Sequence, residues 1–399
     1  KQLSSLYYQD KTLYLQEYQN RFNSTCNYKF PISVAGNQAF TVITPEMVLI
    51  MEEIYEYSNQ INKLFLSIPS VAKNDFLNEC LVEEIINTNG IEGVHSTRKE
   101  IQFILSDSPQ NDKLNKKIKR FEGIAKKYSA LLNDNEEVCL SNCQDFIDLY
   151  NILVKPEIEK DDYPDGKYFR KDSVSVLSET QKPLHQGLYP EEKIIEEIGN
   201  LIKIIEDKNL PKLIKTAVVQ YFIGYIHPFY DGNGRFGRFV GSYLLSKSLE
   251  KLTAIRLSFA IKNNLSKYYK AFENCNNSKN KGEITSFVYF ILKTILVAEK
   301  DILQNLTDRS EQLTFYSDKL DKIKIACKNQ VLCKQILFIL IQNALFSTEE
   351  LDMNTLMKVL DKSKNTIKNC LEFLIHNNFP IICSKAGRKK LYKLNLEIF

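Results

Sequence analysis

Apolar residues recur at spacings of three and four through most of the chain, which marks one buried face on an α-helix. Over residues 45–67, PEMVLIMEEIYEYSNQINKLFLS, this pattern predicts a long helix. Residues 72–91, 98–106 and 116–132 repeat it, and 191–208 and 211–226 are two further predicted helices. Pro190 and Pro211 stand where helices begin, a position at which the missing N–H has no partner to lose. Residues 133–146 read as a loop leading into a helix. The main exception is 163–189, where Val174, Ser175 and Val176 alternate at period two, a polar turn follows, and Leu188 and Tyr189 close the segment. That pattern predicts a short β-hairpin inside a helical protein.

Near residue 330 the character changes. A helix over 333–345 is followed by STEELDMNTLMKVL, then DKSKNTIKNCLEFLIHNN, an apolar strand PIICS, a basic turn KAGRKK and a last strand LYKLNL. Three helices and a hairpin in that order predict a winged helix over 330–399. Lys362, Lys364 and Lys368 fall on or beside its recognition helix, and Arg388, Lys389 and Lys390 in its wing. Such a face suits DNA, and equally suits a solvated surface or a protein partner.

Composition narrows the class without naming it. A chain of 399 residues with 44% hydrophobic and 26% charged content has ample length for two or three packed domains. A net charge of +4 does not by itself call for nucleic acid. The nine cysteines are scattered and show no CxxC pair, so neither a zinc site nor a disulfide framework is expected; a reducing, cytoplasmic setting is. The polar start KQLSSLYYQDKTLYL predicts no signal segment, and no run reaches 18 apolar residues, so no membrane span is expected.

The chemistry concentrates in residues 227–238, HPFYDGNGRFGR. Pro228 ends the preceding helix, the stretch Asp231-Gly232-Asn233-Gly234 turns, and a second helix starts near Gly234. Free N–H groups and the positive dipole end of that helix suit a phosphate, and the glycines let it approach the main chain. Asp231 is a candidate ligand for Mg2+ or Mn2+, Arg235 and Arg238 for phosphate charge, and His227 for the proton of an attacking hydroxyl. Gly232, Gly234 and Gly237 also spell a dinucleotide fingerprint, but a helix stands where that motif needs a strand.

This run resembles the signature of the Fic family, HPFxDGNGRxGR, at every fixed position: His227, Pro228, Phe229, Asp231, Gly232, Asn233, Gly234, Arg235, Gly237 and Arg238. The resemblance implies a mainly α fold, a Fic helical core with a β-hairpin flap beside the site. It implies transfer of AMP from Mg-ATP to a Ser, Thr or Tyr hydroxyl of a protein, including the chain itself. His227 would be the general base, Asp231 the metal ligand and Phe229 an apolar anchor, while Gly232, Asn233, Gly234, Arg235 and Arg238 would hold phosphates. The phosphorylating Doc branch, which resembles Fic, has lysine where Gly234 stands here, a departure that argues against a kinase. The flap would be 168–187, pairing its main chain with the target segment. The stretch YYKAFENCN resembles the family's adenosine-side helix, which makes Tyr268, Tyr269, Phe272 and Asn276 candidate nucleotide contacts; these tyrosines equally fit plain packing. Family-like sequence spans about 45–295.

Upstream, Thr88, Glu92 and Gly93 resemble the family's inhibitory motif [ST]xxxE[GN], on a helix expected at about 80–93. By that resemblance Glu92 pairs with Arg238 and keeps the γ-phosphate out, with Thr88 one turn before it as a support. Gly90 weakens such a helix by up to about 1 kcal/mol. The expected domains are an N-terminal helical region to 110, a core over 111–300, a linker helix over 301–329 and the winged helix. His95, His185 and His376 read as structural or exposed. Two other functions stay open: removal of AMP by the same site, and a DNA-binding regulator whose Fic region senses nucleotide. A homodimer is a further expectation of the resemblance.

Overall fold

Short-range order dominates the architecture: helices joined by brief loops, with small antiparallel sheets. The computed structural model describes residues 2–105, 119–132, 138–177, 183–386 and 389–399. Its contacts divide the chain into two units, Lys1–Asn59 with Leu81–Lys300, and Gln60–Cys80 with Asp301–Phe399. The unit boundaries therefore fall inside helices.

The first unit opens with α1 (Leu3–Gln9) and α2 (Lys11–Phe22); Asp10 starts α2 by accepting from the N–H groups of Thr12 and Leu13. Strands β1 (Asn27–Val34) and β2 (Asn37–Val42) follow as an antiparallel hairpin. Its turn places Ala35 at φ 49° and Gly36 at φ 77°, which closes the pair tightly. This hairpin is an addition to the expected fold. Phe30, Ile32 and Val34 are buried in alternation, but Pro31 interrupts the run, and the register shifts between Lys29 and Ser33. Then come α3 (Pro45–Ser67), α4 (Ser70–Ile91), α5 (Arg98–Leu105), α6 (Glu122–Leu132) and α7 (Cys143–Leu153). The flap is β3 (Ser175–Leu177) paired with β4 (Pro183–Gln186). The tip of the expected hairpin and part of the helix expected at 116–132 lie outside the described residues.

Next are α8 (Glu191–Glu206), α9 (Lys212–Ile226), α10 (Asn233–Ser246), α11 (Lys251–Ala254), α12 (Leu257–Lys262), α13 (Leu265–Asn276) and α14 (Thr285–Lys322). Helix α9 is the spine. Residues on all its faces are buried, from Leu213 through Ile226, so its neighbours must surround it. Helix α10 packs directly on it and also touches α6, α7 and α11. Between α9 and α10 lies the run HPFYDG, whose position is set by these two buried helices.

In the second unit α15 (Gln330–Phe346) leads to β5 (Leu351–Asp352), α16 (Met353–Leu360), α17 (Lys364–His376), β6 (Ile381–Ala386) and β7 (Lys389–Leu394). The sheet order is β5-β7-β6, all antiparallel. The order of elements follows the reading of the last 70 residues, with β5 added. Residues 60–80 belong to this unit: Phe76 meets Phe346 edge-on, and Gln342 accepts from the N–H of Ala72. Helix α14 runs unbroken to Lys322 where a separate linker helix was expected to begin at 301. Arg388 lies outside the described residues. Among those residues, no helix is long and apolar enough to cross a membrane.

Candidate functional site

Helix α9 stops at Ile226 because His227 turns left-handed, φ 52° and ψ 63°, and Pro228 cannot extend the ladder. A non-glycine residue avoids that conformation unless its surroundings hold it there. The following loop is tightly anchored. Asn233 accepts from the N–H of Phe229 at 2.9 Å and donates to its carbonyl at 2.8 Å. Phe229 is fully buried and stacks on Tyr150 with ring centres 3.6 Å apart. The Tyr150 hydroxyl donates to the carbonyl of Asp231 at 3.1 Å. Gly232 caps α10 at φ 77°, and a Cβ there would lie 2.1 Å from Val154. Among the described residues no side chain caps the N-terminus of α10, whose cap residue is Gly232. Asn233 thus closes the loop with its side chain and contributes its main chain to that end.

Two arginines on α10 are almost wholly buried, and each is matched by carboxylate. Arg235 is 1% exposed; Nη1 donates to Glu157 at 2.7 Å and Nη2 to Asp231 at 3.1 Å. Burial pushes the Glu157 carboxyl up to about 7, against the pull of Arg235 and Arg120. Glu157 was not among the expected residues. It lies 78 positions from Arg235, and nothing in its local pattern, KPE, marks it. The Asp231 carboxylate is 47% exposed at the mouth of the loop.

Arg238 is 2% exposed, and α4 with its following turn takes all three of its nitrogens. Nε donates to the Thr88 hydroxyl at 2.9 Å, Nη2 to the Thr88 carbonyl at 2.8 Å, and Nη1 to Glu92 at 2.8 Å. Glu92 stands just past the end of α4, in a turn that Gly93 completes at φ 73°. Thr88 was expected as a support for Glu92; it grips Arg238 directly. A Cβ built on Gly234 would lie 2.1 Å from the Glu92 carboxylate. The carboxylate therefore rests against the bare face of a glycine in the first turn of α10.

His227 is half-buried beside this cluster. Burial first, then the charge of Arg170, holds its imidazole down at about 4, with Glu92 pulling the other way. Among the described residues its buried Nδ1 makes no hydrogen bond of ordinary geometry, though the Gly224 carbonyl also acts to favour the charged ring. In the flap, His185 stacks on Tyr225 at 4.4 Å and bonds the Tyr225 carbonyl at 2.7 Å, which roots β4 on α9. His95 and His376 are exposed. The α13 candidates separate. Tyr268 packs on Phe287 and adjoins the Arg238–Glu92 pair electrostatically. Its neighbour Tyr269 is half-buried. Phe272 packs on Tyr221 and fills the space left by Gly224, while Asn276 accepts from the Tyr221 hydroxyl at 2.7 Å.

The chain is similar to known proteins in sequence and in fold. Residues 141–245 match the model of the Fic/DOC family, a stretch that contains α7, the flap, α9, the loop and all of α10 but its last residue. A Fic family protein from Desulfovibrio desulfuricans G20 is 18% identical with a TM-score of 0.53, over 89% of this chain and 97% of that one. A Fic domain containing signaling protein from Bacteroides thetaiotaomicron VPI-5482 is 15% identical with a TM-score of 0.43, over 64% of this chain and 97% of its own. Fic-1 from C. elegans, residues 134–508, is 14% identical with a TM-score of 0.43, over 65% and 74%. The first of these likenesses shows the fold. Proteins with a Fic domain generally transfer nucleotide-derived groups onto proteins.

Proposed function

We propose that this chain transfers AMP from ATP to a hydroxyl side chain of a protein, and that Glu92 holds the site off until it is displaced. The observation that carries this reading is the seat of the Glu92 carboxylate: 2.8 Å from Arg238 and against Gly234. An anion already occupies the place where a helix N-terminus, a glycine and a buried guanidinium together suit a phosphate.

The residues divide the work. The target hydroxyl oxygen attacks the α-phosphorus, a P–O bond forms, and the bond to the β-phosphate oxygen breaks, with pyrophosphate leaving. The hydroxyl proton passes to His227, whose imidazole is kept neutral and therefore able to accept it. The main chain at Gly232, Asn233 and Gly234 and the Arg238 guanidinium would bind the phosphates. Arg235, committed to Glu157 and Asp231, would serve by orienting Asp231. Asp231 fits a Mg2+ or Mn2+ ion as a single half-exposed carboxylate, since such ions often use one protein carboxylate together with substrate phosphates. The ion would neutralise phosphate charge. Tyr268, whose hydroxyl interacts electrostatically with Arg238, would be the α13 residue nearest the phosphates. The two-stranded flap leaves outer edges to which an extended target segment could add.

Mass spectrometry of Glu92→Gly protein incubated with Mg2+ and each nucleoside triphosphate tests the reading. The expected product is an AMP adduct on a Ser, Thr or Tyr, absent in Glu92→Gly/His227→Ala. An adduct of another mass, or labelling without His227, overturns it.

A further inference from the structure

Arg170 has no part in the mechanism above, yet it is one of the largest fully buried side chains. A buried guanidinium is costly to desolvate and normally sits on a carboxylate. Among the described residues no carboxylate pairs with Arg170. Main-chain carbonyls compensate its charge instead. Nε donates to the carbonyl of His227 at 2.8 Å; Nη2 donates to Leu188 at 2.7 Å and more loosely to Ile226 at 3.5 Å; Nη1 donates to Asp172. Its own N–H donates to the carbonyl of Pro228 at 3.2 Å.

These acceptors lie on three segments. Ile226, His227 and Pro228 are the left-handed turn that ends α9. Asp172 precedes the flap and Leu188 follows it. Gly187 makes the approach possible, for a Cβ there would lie 2.4 Å from Arg170 Nη2 and 3.0 Å from His227 Cβ. The platform beneath is rigid too: Glu191 accepts from the N–H groups of Lys167, Tyr168 and Phe169 at 2.7–2.9 Å, and Phe169 is fully buried.

We infer that Arg170 is a positioning residue: it holds His227 in its left-handed turn and fastens both feet of the flap to that turn, so that base and target strand keep one geometry. An apolar side chain would fill the same space without the desolvation cost, but would leave these carbonyls without donors. Arg170 also faces the imidazole as a like charge, as His185 of the flap does more weakly, while Glu92 from the turn after α4 acts in the opposite sense. Only the kinetic part of this inference rests on the AMP-transfer reading.

Two measurements test it. The first uses nucleotide-free protein. The ring nitrogens of His227, identified by loss of their signals in His227→Gln, are titrated by NMR in wild type, Arg170→Gln and Arg170→Lys. Wild type should titrate near 4, and Arg170→Gln measurably higher, because the like charge is gone. Arg170→Lys should titrate near wild type, because it keeps the charge. The second compares transfer in a Glu92→Gly background. Either Arg170 substitution should lower kcat by roughly 100-fold, the usual effect of a slight misplacement of a catalytic group. KM for ATP should stay within about twofold, since phosphate binding is untouched. An unchanged titration in Arg170→Gln, or an unchanged kcat, overturns the inference. So does an equal loss of kcat and ATP affinity, which a merely structural role would give. Should Arg170→Gln not fold, Arg170→Lys decides through kcat against KM. If Glu92→Gly with intact Arg170 transfers nothing, the transfer reading fails while the NMR titration still decides the role of Arg170.

Discussion

Releasing Glu92 is the perturbation whose size the structure allows to be worked out. The Glu92 carboxylate and Arg238 Nη1 are 2.8 Å apart, the arginine 2% exposed and the glutamate side chain 26%. Two unit charges with centres about 4 Å apart in an effective dielectric near 20 attract by roughly 4 kcal/mol. Desolvation and the ordering of the glutamate take back part of that, which leaves about 2–3 kcal/mol, the usual worth of a hydrogen bond to a charged group. At about 1.4 kcal/mol per factor of ten, the site is open in roughly 0.7–4% of molecules. Glu92→Gly should therefore raise the initial rate of AMP incorporation by about 30- to 150-fold at saturating Mg-ATP. Glu92→Gln keeps one acceptor but loses the charge and should fall between. Arg238 should stay in place in both, because Thr88 holds two of its nitrogens independently. The assay is the initial rate of label transfer from ATP labelled in the α-phosphate. Equal rates in wild type and Glu92→Gly would refute the reasoning.

Other outcomes follow from the same contacts. With His227 held down at about 4, its accepting form persists well below neutrality, so transfer by Glu92→Gly should hold its rate to about pH 5 and fall only as pH nears 4; a pH–rate profile breaking near 6.5 would contradict this. Phe229→Ala should destabilise by about 3–5 kcal/mol, since it empties a fully buried site stacked on Tyr150; chemical denaturation reads it. Burial and the facing Glu250 push the carboxyl of Glu299 well up, so the folded protein keeps a proton that the unfolded chain releases, and stability falls as pH rises above the ordinary carboxylate range. Glu299→Gln should flatten that decline in melting temperature, which runs from about pH 4.5 to about pH 9; an unaltered slope would contradict the burial argument.

Read alone, the chain already determined whatever depends on near neighbours. Apolar spacing places α3, α4, α8 and α9, because one face of a helix is written at fixed intervals. The run 227–238 is legible because helix end, glycine turn and helix start are consecutive, so its chemistry and its geometry come from the same few residues. Residues Thr88 and Glu92 were legible only through resemblance, and the resemblance put Glu92 on the helix where the structure has it in the turn beyond. Pro31 hid the hairpin β1–β2, and no local pattern assigns residues 60–80 to the second unit. Tertiary structure alone decided which distant polar groups meet the site. Glu157 reaches Arg235 across 78 positions, Arg170 reaches His227 across 57, and Thr88 reaches Arg238 across 150. Such pairs have no period. A buried charge must find its partner wherever the packed helices leave one, and that place is set by the fold as a whole.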